Sequence, residues 1–417
     1  MNIYYSLLKM GHQLLGKGKI TSKDIRLKLA FKKRRSLENS KFIAITGSSG
    51  KSTTTTIIAH LLSERCNVTL SWDANTILSF PKALLDMDPK SQYGVFEVSG
   101  HEPGAIDEAC QLLKPSVGVI TTVSNDHLST FRNLENTAEE KGRLAEIIPK
   151  EGLVFLNSDD SLVFAMRHKA SASVVTFGTN ENAQYKATEI EATPSGYLRF
   201  VCHYEGESCL FEFKLLGLHF VTSALAGIAV AHKQGMTLQE IARRANSYQG
   251  LLGRCSIHHG LDGTIYVCDT MKSPYSTVDL AFQVTQIFTQ APRKTIVIGS
   301  ISDKSGKART RYRLPIIKAL DLADRVILFG NAALRGKADA ADLESGKVFI
   351  VENITDLQNL INNDRIAGEM ILLKGSFKID HLERIALDAE NPIDCWLESC
   401  GKHNYCFSCP HLRGNEL

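Results

Sequence analysis

No stretch of this 417-residue sequence approaches the ~18 consecutive apolar residues that a membrane-crossing helix needs. The opening Met1-Asn2-Ile3-Tyr4-Tyr5 lacks a long apolar core and a small-residue cleavage site, so no secretory leader is expected. Charge of one sign is scarce too. A net +3 over the whole chain gives no electrostatic case for a nucleic-acid or membrane-surface partner. The basic residues that do gather, in Phe31-Lys32-Lys33-Arg34-Arg35, read as a solvated helix end or linker. Internal repeats and low-complexity linkers are missing. What remains, 43% hydrophobic and 22% charged residues, is ordinary for a globular protein, and the length favours two or three domains. Six of the ten cysteines (Cys66, Cys110, Cys202, Cys209, Cys255, Cys268) are scattered through apolar or strand-like stretches, as reduced core residues would be. The expected compartment is the cytoplasm, where structural disulfides are rare.

Short apolar runs alternate with helix-like stretches from Lys41 onward. Phe42–Ile45, Val95–Val98 and Val117–Ile120 are strand candidates, and the stretch from Thr53 to about Ser63 is a helix. That alternation predicts a parallel sheet covered on both faces. Between about Thr188 and Leu216 the period falls to two, which predicts an antiparallel insertion with Pro194-Ser195-Gly196 as a turn. Thr237-Leu238-Gln239-Glu240 opens a helix with a capping box. After Gly253 the alternation restarts, with strands at Thr264–Val267, Thr295–Ile298, Arg325–Phe329, Val348–Val351 and Met370–Leu373. The expected architecture is α/β throughout: a helical segment (1–40), a central domain (41–250) and a doubly wound C-terminal domain (251–392). A cysteine-rich tail (393–417) ends the chain.

Thr46-Gly47-Ser48-Ser49-Gly50-Lys51-Ser52-Thr53 sits between the first strand and the first helix. Glycines there let backbone N–H groups close round phosphate oxygens, and the helix N-terminus adds a favourable field. Lys51 can reach the β- and γ-phosphates, and the Ser52 hydroxyl can bind Mg²⁺. Ile45 stands where the general phosphate-loop pattern begins with glycine. The residues point to an ATP site, although a phosphate loop by itself does not define a reaction.

Taken with the motifs downstream, the chain from about Lys41 to Asp388 resembles the Mur ligase superfamily. That group includes the murein amide ligases, folylpolyglutamate synthetases and the ligase half of cyanophycin synthetase. Phe96-Glu97-Val98-Ser99 is similar to the family's strand-end glutamate, which holds Mg²⁺ on the ATP phosphates. Thr121-Thr122-Val123-Ser124-Asn125-Asp126-His127-Leu128 is similar to the stretch whose histidine is tied to a second magnesium. Lys141, in Glu139-Glu140-Lys141-Gly142-Arg143-Leu144, falls where murein ligases carbamylate a lysine and so turn a cation into a metal ligand. An exposed helix lysine beside two glutamates is the other reading of that position. Leu156-Asn157-Ser158-Asp159-Asp160 matches the family's Asn-x-Asp-Asp turn, whose role is mostly structural.

The second half departs further from the pattern. Gly217-Leu218-His219 matches the start of a motif near the nucleotide base, but Phe220 and Ser223 replace its two asparagines. Gly253-Arg254 resembles the hinge pair whose arginine contacts ATP phosphates, where a guanidinium suits developing phosphoryl charge. In Cys268-Asp269-Thr270-Met271-Lys272-Ser273-Pro274 the carboxylate expected to bind the ribose, Asp269, is kept. The motif's aromatic, histidine and asparagine are not. Leu373-Lys374-Gly375-Ser376 resembles the closing Lys-Gly-Ser motif. That stretch and Asp303-Lys304-Ser305-Gly306-Lys307 read either as contacts to an acidic substrate or as solvated loops.

The resemblance implies a ligase that uses ATP and Mg²⁺, activates a carboxylate as an acyl phosphate and passes it to an amine or amino acid. About forty residues precede the phosphate loop, fewer than a uridine-binding domain needs, so a carboxylate outside the UDP-linked class is expected. Two rival readings stand beside this one: the ligase half of an amidotransferase fed by a glutaminase-type subunit, and a degenerate ATP-binding scaffold. The tail adds Cys395, Cys400, Cys406 and Cys409. Their spacing suits zinc or a cluster, and free or regulatory thiols are the alternative.

Overall fold

Apolar runs flanked by helices become strands buried on both faces, and this is what a computed structural model of the chain shows. It describes residues 22–417 apart from 74, 78, 125–127, 305, 335, 337, 399, 402–404 and 415–417. The strands of the first sheet are β1 (Lys41–Thr46), β2 (Val68–Ser71), β3 (Tyr93–Glu97), β4 (Val117–Ile120), β5 (Leu153–Asn157), β6 (Ser173–Gly178), β7 (Tyr185–Ala192), β8 (Tyr197–Tyr204) and β9 (Glu207–Leu216). Their order is β2-β3-β1-β4-β5-β6-β7-β8-β9, parallel from β2 to β7 and antiparallel thereafter. The period-two segment is therefore an antiparallel extension of the same sheet, joined to it through the short β6–β7 pairing.

The second sheet holds β10 (Ser256–His259), β11 (Ile265–Asp269), β12 (Lys294–Ile298), β13 (Arg325–Phe329), β14 (Val348–Val351) and β15 (Met370–Lys374). Their order is β10-β11-β15-β12-β13-β14, parallel except for β10 at one edge. The register sets Asp269 at the end of β11 beside Lys374 at the end of β15.

Helices cover both faces of the first sheet. On one face, Lys51–Leu62 packs against Val221–Lys233, so closely that a Cβ on Gly227 would lie 2.3 Å from Ile57. On the other, Ala105–Leu113 and Leu134–Ile147 close a separate apolar cluster with Ile120, Val154 and Leu156. The helix Ser22–Arg35 joins that cluster through Ala30. The basic run at its C-terminus is a helix end, and the Arg34 guanidinium lies 3.9 Å from the Phe42 ring centroid. No helix of the described residues is long and apolar enough to cross a membrane.

Candidate active site

In each parallel sheet the loops that leave the strands' C-terminal ends gather at one edge, where open α/β sheets bind ligands. β1 lies between β3 and β4, so Glu97 and Thr121 flank the loop that follows it. That loop is held tightly. Ser48 N–H donates to the Thr122 carbonyl at 2.8 Å, Ser49 N–H to Thr122 Oγ1 at 3.0 Å, and Thr121 Oγ1 to the Ser49 carbonyl at 2.6 Å. Gly47 is obligatory, because a Cβ there would sit 2.0 Å from Thr121 Oγ1. Gly50 caps the following helix with φ +77°, a conformation that glycine adopts without strain. The N–H groups that open this helix have no intrahelical partner and are the donors a phosphate takes.

Lys51 folds back over the loop, donating to the carbonyls of Gly47 at 2.7 Å and Ser48 at 3.3 Å. Ser52 Oγ donates to Glu97 Oε2 at 2.6 Å, and Asn75 Nδ2 donates to the other carboxylate oxygen at 2.9 Å. Glu97 is buried. Burial pushes its carboxyl up, but Lys51, the hydrogen bonds from Ser52 and Asn75, and the charge of Lys272 outweigh that and hold it below the usual carboxylate range. It is therefore an ionised oxygen donor at neutral pH, as a hard cation requires.

Cations from the second sheet turn toward the same place. Lys272 keeps solvent contact at the mouth of the cleft, yet burial there is the largest influence lowering its pKa. Repulsion from Lys51 and Arg254 lowers it further, against the attraction of Glu97 and Asp73. Three cations that repel one another round a shared space make an anion site. The sequence offered a sign of Lys272, a cation where the related motif has histidine. Asn75 carried no such signal.

A cavity of 310 Å³ opens beside the loop, lined by Ser49, Gly50, Ser52, Thr53, His219, Phe220, Arg254 and Asp269, with Thr277, Leu280 and Ala281 of the helix Tyr275–Gln283 as its far wall. His219 and Phe220 present adjacent rings, 4.2 Å between centroids. Burial pulls the His219 pKa down to about 4; Asp269 opposes the shift, and Lys374 and Arg254 reinforce it. Asp269 reaches the cavity while accepting a 2.7 Å hydrogen bond from the fully buried Lys374. The Lys-Gly-Ser stretch is thus a buried strand end, and the solvated-loop reading fails there. Lys304 of the other basic segment lies over the Tyr275 ring at 4.5 Å, and Ser305 lies outside the described residues.

Lys141 is 1% exposed, on the helix Leu134–Ile147, so it is not the surface lysine that its acidic neighbours suggest. Glu140 is engaged elsewhere, accepting from the N–H groups of Gly104 and Ile106 at 2.8 and 2.9 Å. His127, with Asn125 and Asp126, lies outside the described residues. The Asn-x-Asp-Asp turn is structural: Asn157 Nδ2 donates to the Thr121 carbonyl at 2.8 Å, and Asp160 accepts from Val123 N–H at 2.7 Å. Those bonds fix the segment that backs the phosphate loop.

The tail touches the segment just ahead of Arg254. Tyr405 donates to the Leu252 carbonyl at 2.7 Å, and a Cβ on Gly253 would collide with its hydroxyl. Of the four tail thiols, Cys406 is drawn into a buried group with His381 and Glu383. Cys400 lies 3.8 Å from the far nitrogen of the same ring, while Cys395 and Cys409 pack against the apolar cluster of Leu387, Ile393 and Leu412.

Comparison with known proteins meets this geometry. Residues 45–231 match the Mur ligase middle domain. The chain is 25% identical over 358 residues to a UDP-N-acetylmuramate–L-alanine ligase of Caldanaerobacter subterraneus, covering 81% of this chain and 73% of that one. It is 23% identical over 357 residues to the UDP-N-acetylmuramoyl-tripeptide–D-alanyl-D-alanine ligase of Bacillus subtilis, covering 84% and 76%. Among solved structures, MurF from Acinetobacter baumannii gives a TM-score of 0.78 at 25% identity, over 88% of this chain and 80% of that one. MurF ligase from Thermotoga maritima, in complex with ADP, gives 0.77 at 19% identity, over 89% and 84%, and adds support for the fold alone.

Proposed function

Because the chain belongs to the Mur ligase family, we propose that it activates a carboxylate as an acyl phosphate and passes it to an amine, forming an amide. The observation that carries this reading is Glu97, held ionised and buried between Ser52 and the cations of both sheets. In this reading the substrate carboxylate attacks the γ-phosphorus of ATP and the bond to ADP breaks. The amine nitrogen then attacks the activated carbon, phosphate leaves with its bridging oxygen, and the amine proton passes to solvent.

The loop's cradle fits a polyphosphate, since a Cβ at Gly47 would collide with Thr121. Lys51 would leave its own loop carbonyls for the phosphates, and Arg254 and Lys272 would face the transferring group from the other domain. Preorganised cations of this kind stabilise transition-state charge more than ground-state charge. Ser52 and Glu97 would hold a magnesium ion, which would neutralise phosphate charge. Lys141 as a carbamate, with His127, would hold a second one. The aromatic pair His219 and Phe220 offers ring faces to the base in place of the amides of the related motif.

We further assign a carboxylate outside the UDP-linked class. Ahead of the loop, the helix Ser22–Arg35 docks on the middle domain, Arg34 donating to the Leu113 carbonyl at 2.6 Å.

ADP release, followed over a panel of UDP-linked and free acids with and without amino acids or ammonium, tests the whole. Amine-dependent release is expected, and hydroxylamine should trap the activated acid as a hydroxamate. ADP release that no amine accelerates would reduce the protein to an ATP-binding scaffold, and ammonium acting alone would favour the amidotransferase reading.

A further inference from the structure

At the C-terminal edge of the second sheet, the loop after β15 brings His381 into a left-handed conformation, φ +51°. Glu383 begins the helix Glu383–Glu390 two residues later, and Cys406 of the tail folds onto both. The Cys406 sulfur is 3.3 Å from His381 Nδ1, and Glu383 Oε1 is 3.9 Å from the same nitrogen. All three side chains are buried; Glu383 is 0% exposed.

Glu383 is what makes this group unusual. Its Oε1 receives a long bond from Cys406 N–H at 3.4 Å, and its Oε2 has no hydrogen-bond partner among the described residues. The adjacent Arg384 attracts it without bonding to it, because its guanidinium donates to the carbonyls of His381, Cys395 and Leu397. Burying a carboxylate with so little compensation is costly, and such groups are ordinarily paired or ligated.

We propose that His381, Glu383 and Cys406 hold a zinc ion that pins the tail against the segment joining the two α/β domains. The donor set of one nitrogen, one oxygen and one sulfur suits zinc, and a tetrahedral shell with bonds of about 2.0–2.3 Å has edges of about 3.3–3.8 Å. The observed separations of 3.3 and 3.9 Å lie close to those edges. Cys406 releases its proton to solvent on binding, and the buried Glu383 carboxylate gains the opposite charge that it lacks. Cys400 stands on the Nε2 side of the ring, where it accepts from the N–H that a metal on Nδ1 leaves there. One ion cannot reach both nitrogens of one ring, so this site differs from one built of the four tail cysteines. Its place in the molecule gives it a consequence. Tyr405, next to Cys406, is the residue bonded to Leu252 ahead of the Gly253-Arg254 hinge.

Elemental analysis of the full-length protein purified without chelator tests the site, followed by exchange of the metal for cobalt. About one zinc per chain is expected, and the cobalt form should show a thiolate charge-transfer band of single-thiolate strength with the intense visible bands of a four-coordinate ion. Glu383→Leu and Cys406→Ser should each lower occupancy about tenfold or more, while Cys395→Ser retains the metal. Chelation should lower the thermal midpoint of the unmutated protein and expose Cys406 to thiol reagents. A protein that takes up neither zinc nor cobalt stoichiometrically overturns the proposal. So does a charge-transfer band of four-thiolate strength, or a Cys395→Ser protein that loses the metal while Glu383→Leu keeps it. The cobalt spectrum uses the unmutated chain, so a variant that fails to fold does not blunt the test.

Discussion

Glu97 at the end of β3 and Asp269 at the end of β11 occupy the same kind of place, the C-terminal edge of a parallel strand facing the cleft. Their surroundings differ. Glu97 is met by two neutral donors, Ser52 and Asn75, while its cations act from a distance. Asp269 is tied directly to Lys374 at 2.7 Å, and Lys374 in turn donates to the Lys272 carbonyl at 3.1 Å. The first carboxylate is left ionised with its charge unspent, as a metal-binding group must be. The second is half consumed by an internal ion pair, which makes it part of the scaffold even as it lines the cavity. On the proposed reading the first sheet carries the reactive edge, and the second sheet supplies a closed edge plus the cations Lys272 and Arg254.

The contrast breaks first at Lys374. Lys374→Met leaves the Asp269 carboxylate buried without its cation, and losses of about 3–5 kcal/mol are usual for such a step. Denaturant unfolding should show that loss, and adding Asp269→Asn should restore much of it. An unchanged midpoint in Lys374→Met would mean the pair carries no structural weight. Lys51→Ala and Glu97→Ala should behave oppositely, with near-normal unfolding midpoints and turnover lower by ~10²–10³. Near-normal turnover in either protein would remove the phosphate loop from the chemistry.

Interior strands were legible because burial on two faces makes a parallel strand read as an apolar run: Val117–Ile120 and Arg325–Phe329 have the expected limits. β2 and β10 were not, because Val68–Ser71 and Ser256–His259 are half-exposed edge strands with mixed side chains. The loop residues could be named from local spacing, and Glu97 from the resemblance of Phe96-Glu97-Val98-Ser99 to a family motif. The Asp269–Lys374 pair could not, because 105 residues separate its members and only the adjacency of β11 and β15 joins them. The same holds for the tail, whose cysteine spacing suggests four thiols, whereas the fold gives Cys406 to His381 and Glu383. Lys141 was ambiguous for a different reason. Glu139 and Glu140 suggest a solvated face, but Glu140 turns inward to cap another helix and Lys141 is buried beside it.

That burial sharpens the third expectation. A lysine with 1% exposure on the helix behind the reactive edge is held there by its surroundings, and carbamylation would convert it into an oxygen ligand. Lys141→Ala should lose about 10²-fold in turnover, with partial recovery in acetate or bicarbonate. Lys141→Arg should stay impaired, since a guanidinium cannot form the same carbamate. Full activity in Lys141→Arg, or an intact mass that never shows the added carbon dioxide, would return the residue to a packing role.

The smallest effect concerns His219, which sits where the two edges meet and feels groups from the second. Its pKa is drawn down from 6.5 to about 4, so the folded protein keeps the ring neutral where the unfolded chain would protonate it. The unfolded state then binds more protons between those values. Stability is complete above pH 6.5 and falls as pH drops toward about 4. The arithmetic gives at most about 2 kcal/mol at pH 5 from this one group. A neutral ring is also what a nucleotide base can stack on without adding a fourth cation to Lys51, Lys272 and Arg254. Unfolding free energies of the native protein and His219→Phe, measured from pH 7 to pH 5, should converge on the acid side as the native protein loses stability and the variant loses less. Parallel curves over that window would show that His219 titrates as an ordinary histidine, and that the cavity beside the phosphate loop is wetter than its packing indicates.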